Sequence, residues 1–72
     1  MKLNYYPETD SLYIDLSERK SVDSKEVASG VVVDFDEMGV IVGIDIDHAS
    51  KIMNLRRVES DSLPLKTLAS NP

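Results

Sequence analysis

Alternating apolar and polar residues predict strands in the N-terminal part of the chain. The segments KLNYY (residues 2–6) and LYIDLS (residues 12–17) both alternate, so each is expected to be a half-buried strand. The intervening PETDS (residues 7–11) contains proline, aspartate and serine, which are typical of turns. Together the three segments predict a β-hairpin. Residues 18–26 are charged and polar, and they are expected to form an exposed connection.

A second hairpin is predicted around the sequence DEMG at residues 36–39. Aspartate favours the first position of a type I turn, and glycine favours the left-handed position at its end. With this turn, Phe35 lies opposite Val40, and Val33 lies opposite Val42. All four apolar side chains then point to the same face, which gives the hairpin a fixed register.

A change of period after the second hairpin predicts a helix. Ala49, Ile52 and Met53 fall on one stripe of a helix with 3.6 residues per turn. Asp47 is the expected N-cap, because its side chain can accept from the free amides of the first turn. The same stripe allows the helix to continue to residue 58.

These elements predict an α+β fold. We expect a four-stranded, mainly antiparallel sheet of two hairpins, with a C-terminal helix packed on one face; a parallel central pairing is also compatible with the pattern. Residues 1–58 are expected to form one domain. Residues 59–72 form a C-terminal tail, either a short helix with Pro64 near its start or an arm that contacts a second chain. The predicted core comprises Leu3, Tyr5, Leu12, Ile14, Leu16, Val31, Val33, Phe35, Val40, Val42, Ile44, Ile46, Ile52 and Met53.

The length of the chain favours association with a second copy. Seventy-two residues are near the lower limit for a self-sufficient core, and the chain contains no cysteine for a disulfide or a thiolate metal site. Tyr13, Val32 and Ile41 alternate out of phase with the core, so they point to the second face of the sheet. One helix covers only one face, and we therefore expect a symmetric homodimer.

The charge of the chain narrows the class of partner. The net charge is −5, from 13 acidic and 8 basic residues. An acidic domain gains nothing from counterion release on nucleic acid, so a basic protein is the expected partner instead.

No apolar run approaches the ~20 residues that cross a bilayer, and the N-terminal segment lacks the apolar core of a signal peptide. We expect a soluble cytoplasmic protein that does not bind membranes.

Four residues of the second hairpin match positions of a calcium-binding loop. Asp34, Asp36 and Gly39 occupy positions 1, 3 and 6, and Asp45 occupies position 12. In the predicted hairpin, however, Asp34 and Asp45 are about 13 Å apart along the strand, too far to share an ion. Asp34 and Asp36 remain weak candidates for a loosely held divalent cation. The alternative function is therefore a small-ligand or divalent-metal binding protein, and no cofactor is predicted.

The sequence offers no catalytic constellation, so an enzyme is not expected. His48 is the single histidine, and Ser50, two positions away, points elsewhere on a helix. A catalytic site centred on His48 would need a partner group, and none is evident in the sequence. The outward strand positions instead suggest a contact surface for protein partners. The candidate interaction residues are Tyr13, Asp15, Val32, Asp34, Ile41 and Asp45.

Two segments together resemble the domain-of-unknown-function family numbered 2283, a group of short prokaryotic proteins. They are YYPETDSLYIDL at residues 5–16 and GVVVDFDEMGVIVGIDIDHAS at residues 30–50, and the resemblance covers roughly residues 3–51. The matching positions are Asp10, Leu12, Tyr13, Ile14, Asp34, Asp36, Gly39, Gly43, Ile44, Asp45, Ile46, Ala49 and Ser50. The resemblance implies a small α+β domain and supplies no catalytic residues.

The resemblance also suggests a role. Proteins similar to this one often lie beside small toxin-like genes, which implies an antitoxin-like function. The chain lacks the basic DNA-binding element that many antitoxins carry. The predicted function is therefore a non-enzymatic, homodimeric protein-interaction module, whose sharpest form is an antitoxin-like partner of a small basic protein.

Overall fold

The computed structural model describes residues 1–54, which form a five-stranded sheet and a short helix. The elements are β1 (Lys2–Tyr6), β2 (Ser11–Asp15), β3 (Asp23–Ala28), β4 (Val31–Phe35), β5 (Ile41–Ile46) and α1 (Ala49–Ile52). The strand order is β1-β2-β5-β4-β3, and each neighbouring pair is antiparallel. An antiparallel sheet followed by a helix is thus confirmed. The parallel central pairing is wrong, because β2 and β5 run in opposite directions.

The prediction of four strands is wrong because the segment expected to be a connection contains β3. Every residue of this strand, DSKEVA, is exposed. It lies at the edge of the sheet and pairs only with β4. Backbone hydrogen bonds to β4 hold it there, although its sequence has no alternating apolar residues. An irregularity between Glu26 and Ala28 interrupts the pairing. Charged residues and such an irregularity are common on edge strands, where they discourage pairing with other chains.

The β4–β5 hairpin has the predicted turn but a different register. The Gly39 N–H donates to the Asp36 carbonyl oxygen at 3.0 Å, and Gly39 has a φ of 79°. Beyond the turn, Val33 lies opposite Ile44 and not opposite Val42. The pairing is irregular between Asp34 and Phe35, so Val42 has no register partner of its own. This extra residue shifts the strand without changing which residues face the core.

One face of the sheet, which we call the apolar face, carries the core. Ala49 of α1 is fully buried against Leu12 and Ile46, so the helix packs on this face as predicted. The buried apolar residues are Leu12, Val33, Val42, Ile46 and Ala49. Five predicted core residues are exposed instead: Tyr5, Leu16, Val40, Ile52 and Met53. They lie at the edges and ends of the sheet, at the last residue of a helix of only four residues, or directly after that helix.

The start of α1 is held by the β1–β2 turn and not by the predicted N-cap Asp47. His48 occupies the N-cap position with a φ of 53° and makes no side-chain capping bond. The Asp10 carbonyl oxygen accepts from the Ala49 N–H at 2.9 Å. The Asp10 carboxylate accepts from the Ser50 N–H at 3.2 Å and the Ser50 hydroxyl at 2.8 Å. A residue 40 positions away therefore caps the helix.

The helix is shorter than predicted. It ends at Ile52, and Met53 is already extended, with a φ of −140°. The predicted continuation through residues 55–58 and the tail at residues 59–72 lie outside the described residues. Among residues 1–54, no helix has the length and apolar character needed to cross a bilayer.

We expect the Asp10→Ala variant to lower the melting temperature by about 5–10 °C. Alanine removes the cap and is also strained at the φ of 54° that Asp10 adopts. The Asp10→Gly variant keeps the backbone freedom but loses the cap, so its loss should be smaller. The Asp10→Asn variant keeps an acceptor and tolerates the left-handed region, so it should lose least. Thermal unfolding followed by circular dichroism measures the order, and an asparagine variant as unstable as alanine would contradict the capping role.

A candidate interaction face on the sheet

The face of the sheet opposite the apolar face gathers most of the predicted interaction residues. Across β2, β5 and β4, Tyr13 lies opposite Asp45, and Asp45 lies opposite Val32. In the adjacent row Asp15 lies opposite Gly43, and Gly43 lies opposite Asp34. These positions alternate with buried Leu12, Val33 and Ile46, so they point away from the core. The acidic face is defined as Tyr13, Asp15, Val32, Asp34 and Asp45.

Ile41 does not belong to this arrangement, although the sequence placed it with the others. It pairs with Phe35 on the far side of the irregularity and is 44% exposed. The extra residue Val42 separates Ile41 from the regular rows. That Ile41 shares a surface with Tyr13 and Val32 stays a prediction.

Tyr13 crosses the middle of the acidic face. Its hydroxyl donates to an oxygen of the Asp34 carboxylate at 3.0 Å, so the side chain reaches from β2 to β4. It passes directly over Gly43 of β5, where an added Cβ would overlap the Tyr13 hydroxyl oxygen. A glycine inside a strand often marks such a close approach. Gly43 therefore allows the tyrosine side chain to lie along the sheet.

Asp34 anchors this tyrosine and also connects it to the edge strand. Its second carboxylate oxygen accepts from the Ser24 hydroxyl of β3 at 2.7 Å. Burial, together with the hydrogen bond to Asp34, raises the pKa of Tyr13. The nearby charges of Asp15 and Asp45 act in the same direction. Tyr13 therefore stays protonated at neutral pH and remains a hydrogen-bond donor.

The pKa of Asp45 reflects both its burial and the negative charge around it. Partial burial raises the pKa of Asp45, and the neighbouring carboxylates of Asp47 and Asp34 raise it further. Within residues 1–54 the ion pair found is Arg19 with Asp36, which lies by the β4–β5 turn. Within residues 1–54, therefore, no carboxylate of the acidic face forms an ion pair.

The comparison with known proteins identifies the family. A model described as "Protein of unknown function (DUF2283)" matches residues 2–50. The chain belongs to the DUF2283 family. The match includes all five residues of the acidic face, and it confirms the resemblance drawn from the two sequence segments.

One relative of this DUF2283 protein comes from Methanocaldococcus jannaschii, and its name describes it as uncharacterized. The two are 34% identical over 59 residues, which is 82% of this chain and 50% of the relative. The DUF2283 chain thus spans about half the length of that relative. No solved structure gives a significant match.

The two carboxylates considered for a metal ion are both engaged by protein donors in this DUF2283 domain. Asp34 accepts from Tyr13 and Ser24. Asp36 is buried and accepts from the Met38 and Val40 N–H groups through Oδ1 and from Arg19 through Oδ2. Residues 1–54 contain no group of three or more histidine, cysteine, aspartate or glutamate side chains placed to hold a metal ion. No feature of the described residues favours the metal-binding alternative.

The candidate catalytic residue His48 is exposed on the DUF2283 surface. The nearby Ser50 hydroxyl donates to Asp10, which also accepts from the Tyr5 hydroxyl at 2.7 Å. The pKa of Asp10 is lowered by these hydrogen bonds, first from Tyr5 and then from Ser50. In this cluster, therefore, the described contacts serve to cap α1. The expectation that the protein is not an enzyme stays a prediction.

Sequence reasoning missed two residues that shape the acidic face, Gly43 and Ser24. Gly43 lies in the middle of the strand IVGIDI, and this was the one available signal, because strand glycines mark close approaches. Ser24 had no signal, since its strand was not predicted. Both contacts depend on which strands are neighbours.

Proposed function

We propose that this DUF2283 domain is a non-enzymatic protein-interaction module that binds a basic protein through its acidic face. The observation that carries the proposal is the register that brings Asp15, Asp34 and Asp45 onto one face beside Tyr13. A surface with one sign of charge attracts and orients a partner of the opposite sign. A small basic protein masked in an antitoxin-like manner is the sharpest form of this proposal.

The overall charge supports a protein partner over a nucleic acid. The chain carries a net charge of −5, so approach to a phosphate backbone is unfavourable everywhere except at local basic patches. A basic protein, by contrast, is attracted by this negative charge. Its arginine and lysine side chains can approach free carboxylates and an aromatic ring on the surface of the sheet.

A homodimer is the proposed assembly. The described part of the chain is a single sheet whose apolar face is covered by a helix of four residues. Tyr5 is 43% exposed, Leu16 is 40% exposed and Ile52 is 54% exposed. Burial of apolar surface of this kind between two copies would supply stability that a chain of 72 residues gains with difficulty alone.

The proposal predicts that removing two charges from the acidic face weakens partner binding by roughly tenfold. The test variant is Asp15→Asn with Asp45→Asn. The matched control is Glu8→Gln with Glu37→Gln, which removes the same charge from exposed turn positions. Tagged forms of each are used to capture proteins from the source cells, followed by mass spectrometry and light scattering of the eluate. A small basic protein should be retained by the wild type and the control and lost from the Asn variant.

The melting temperatures of the variants show whether a change in stability contributes to this comparison. Because the folded state raises the pKa of Asp45, that carboxyl favours folding when protonated, and the benefit is lost as the pH rises through the folded pKa. An uncharged asparagine at this position should therefore keep or raise the melting temperature at neutral pH. Equal retention by all three forms would reject the acidic face. Equal loss from both double variants would show that net charge matters and the face does not.

A further inference from the structure

The acidic face contains a place suited to one particular side chain of a basic partner. We propose that the side chain of Tyr13, with the free carboxylates of Asp15 and Asp45 beside it, forms a seat for an arginine guanidinium group. This inference rests on the proposed function and specifies the partner group that the acidic face recognises. The seat is a feature of the flat sheet surface and requires no cavity.

The position of Tyr13 is fixed before any partner arrives. Gly43 leaves room for the side chain to lie along the sheet, and the 3.0 Å hydrogen bond to Asp34 holds its far end. One side of the tyrosine therefore rests on the β5 backbone, while the side chain as a whole keeps part of its surface exposed. A prepositioned aromatic ring loses little conformational entropy when a ligand covers it.

Asp15 and Asp45 supply the charge. They occupy neighbouring rows of the sheet: Asp15 lies on β2, the strand that carries Tyr13, and Asp45 lies on β5, the strand that the tyrosine crosses. Neither carboxylate has a hydrogen-bond or ion-pair partner within residues 1–54, whereas Asp34 is already bonded on both oxygens. Lys2 lies opposite Asp15 but forms no ion pair with it in the described structure. The two free carboxylates can therefore accept from an incoming cation.

An arginine fits this set of groups better than a lysine. The guanidinium group is planar, so it stacks on an aromatic ring and still points several N–H donors sideways toward carboxylates. The lysine ammonium is a compact and strongly hydrated charge that gains less from the ring. Val32, opposite Asp45, adds an apolar neighbour for the aliphatic part of the arginine side chain.

The test compares two synthetic peptides, one with alternating arginine and glycine and the other with alternating lysine and glycine. Each is titrated into the isotope-labelled full chain, and the dissociation constants come from NMR shifts. The arginine peptide should bind about two- to five-fold more tightly and should shift the Tyr13 ring and Gly43 amide signals. The Tyr13→Leu variant should abolish this preference. The Tyr13→Phe variant, which keeps the ring, should retain most of it.

The outcomes separate this inference from the proposed function. The arginine seat is overturned if the two peptides bind equally well, or if the peptide saturates the protein without shifting the Tyr13 ring signals. These signals are recorded on the wild type, so this result does not depend on any variant folding. If Asp15→Asn with Asp45→Asn still weakens both peptides in that case, the acidic face stands and only the seat is rejected. If that double variant changes neither peptide, both proposals fail.

Discussion

Replacing Asp36 by alanine should lower the melting temperature by about 10 °C, because one buried carboxylate organises the β4–β5 turn. Oδ1 accepts from the Met38 N–H at 2.8 Å and from the Val40 N–H at 2.9 Å. Oδ2 accepts from Arg19 at 2.9 Å. The Asp36 side chain is only 4% exposed, so alanine would leave these backbone donors without an acceptor and with little access to water.

Two further variants identify which contact matters. The Asp36→Asn variant keeps an oxygen for the two backbone donors and should lose much less stability than alanine. The Arg19→Gln variant removes the charge partner, whose side chain is 62% exposed, and should have the smallest effect. Thermal unfolding of the three variants measures this order. An alanine variant that melts with the wild type would show that the turn forms without the carboxylate.

The same carboxylate makes stability depend on pH with a defined sign. The hydrogen bond from the Val40 N–H and then the one from Arg19 lower the pKa of Asp36 below its ordinary value of 3.8. A carboxyl with a lowered folded pKa stabilises the protein above that ordinary value, and this contribution is lost as the pH falls through the folded pKa. The difference in melting temperature between wild type and Asp36→Ala should therefore narrow between neutral pH and about pH 2.

A side chain at Gly43 should cost about 1–3 kcal/mol, the usual range for overfilling a packed site. The Cβ of a Gly43→Val variant would overlap the Tyr13 hydroxyl oxygen and lie 2.5 Å from Tyr13 Cζ. Tyr13 must then swing away and give up its hydrogen bond to Asp34. Valine favours strands more than glycine does, which offsets part of the loss. Urea denaturation measures the net change in the free energy of unfolding.

A double-mutant cycle with Tyr13→Ala provides the control for this prediction. Without the tyrosine ring, valine at position 43 meets no obstacle, and its strand preference should make the substitution neutral or stabilising. The coupling energy between the two positions should therefore be about 1 kcal/mol or more. Changes that add within roughly 0.5 kcal/mol would show that the overlap does not determine the cost.

The strands that could be predicted from the sequence are those with an apolar face. The alternation around Leu12 and Val33 reveals such strands, because these two residues are buried and the apolar residues two positions away, Ile14 and Val31, pack partly buried against the core. By contrast, β3 is exposed throughout and leaves no apolar pattern. The register of β4 with β5 could not be predicted from the alternation either. A single unpaired residue, Val42, shifts the pairing without changing which residues of β4 face the core. The cap from Asp10 joins residues 40 positions apart and has no local signal.

The acidic face, likewise, could be predicted only in part from the sequence. Alternation alone placed Tyr13, Asp15 and Asp45 on the outer face, because each is one position from a core residue. The contact of Tyr13 with Gly43 and its bond to Asp34 depend on β5 lying between β2 and β4. That arrangement is a property of the whole sheet. The sequence pattern therefore predicts which residues lie on the outer face, whereas the strand order determines which of them are in contact.

The strand order also determines how the chain can reach its native state. The β1–β2 hairpin and the β3–β4–β5 meander are each built from neighbouring segments, so each can form quickly on its own. They meet mainly where β2 pairs with β5, where Tyr13 bonds to Asp34 and where Asp10 contacts Ser50. Joining these halves closes the longest loop in the described chain and carries the largest entropic cost. We therefore expect the β2–β5 pairing to be the step that limits the folding rate, and Tyr13 lies on these same paired strands.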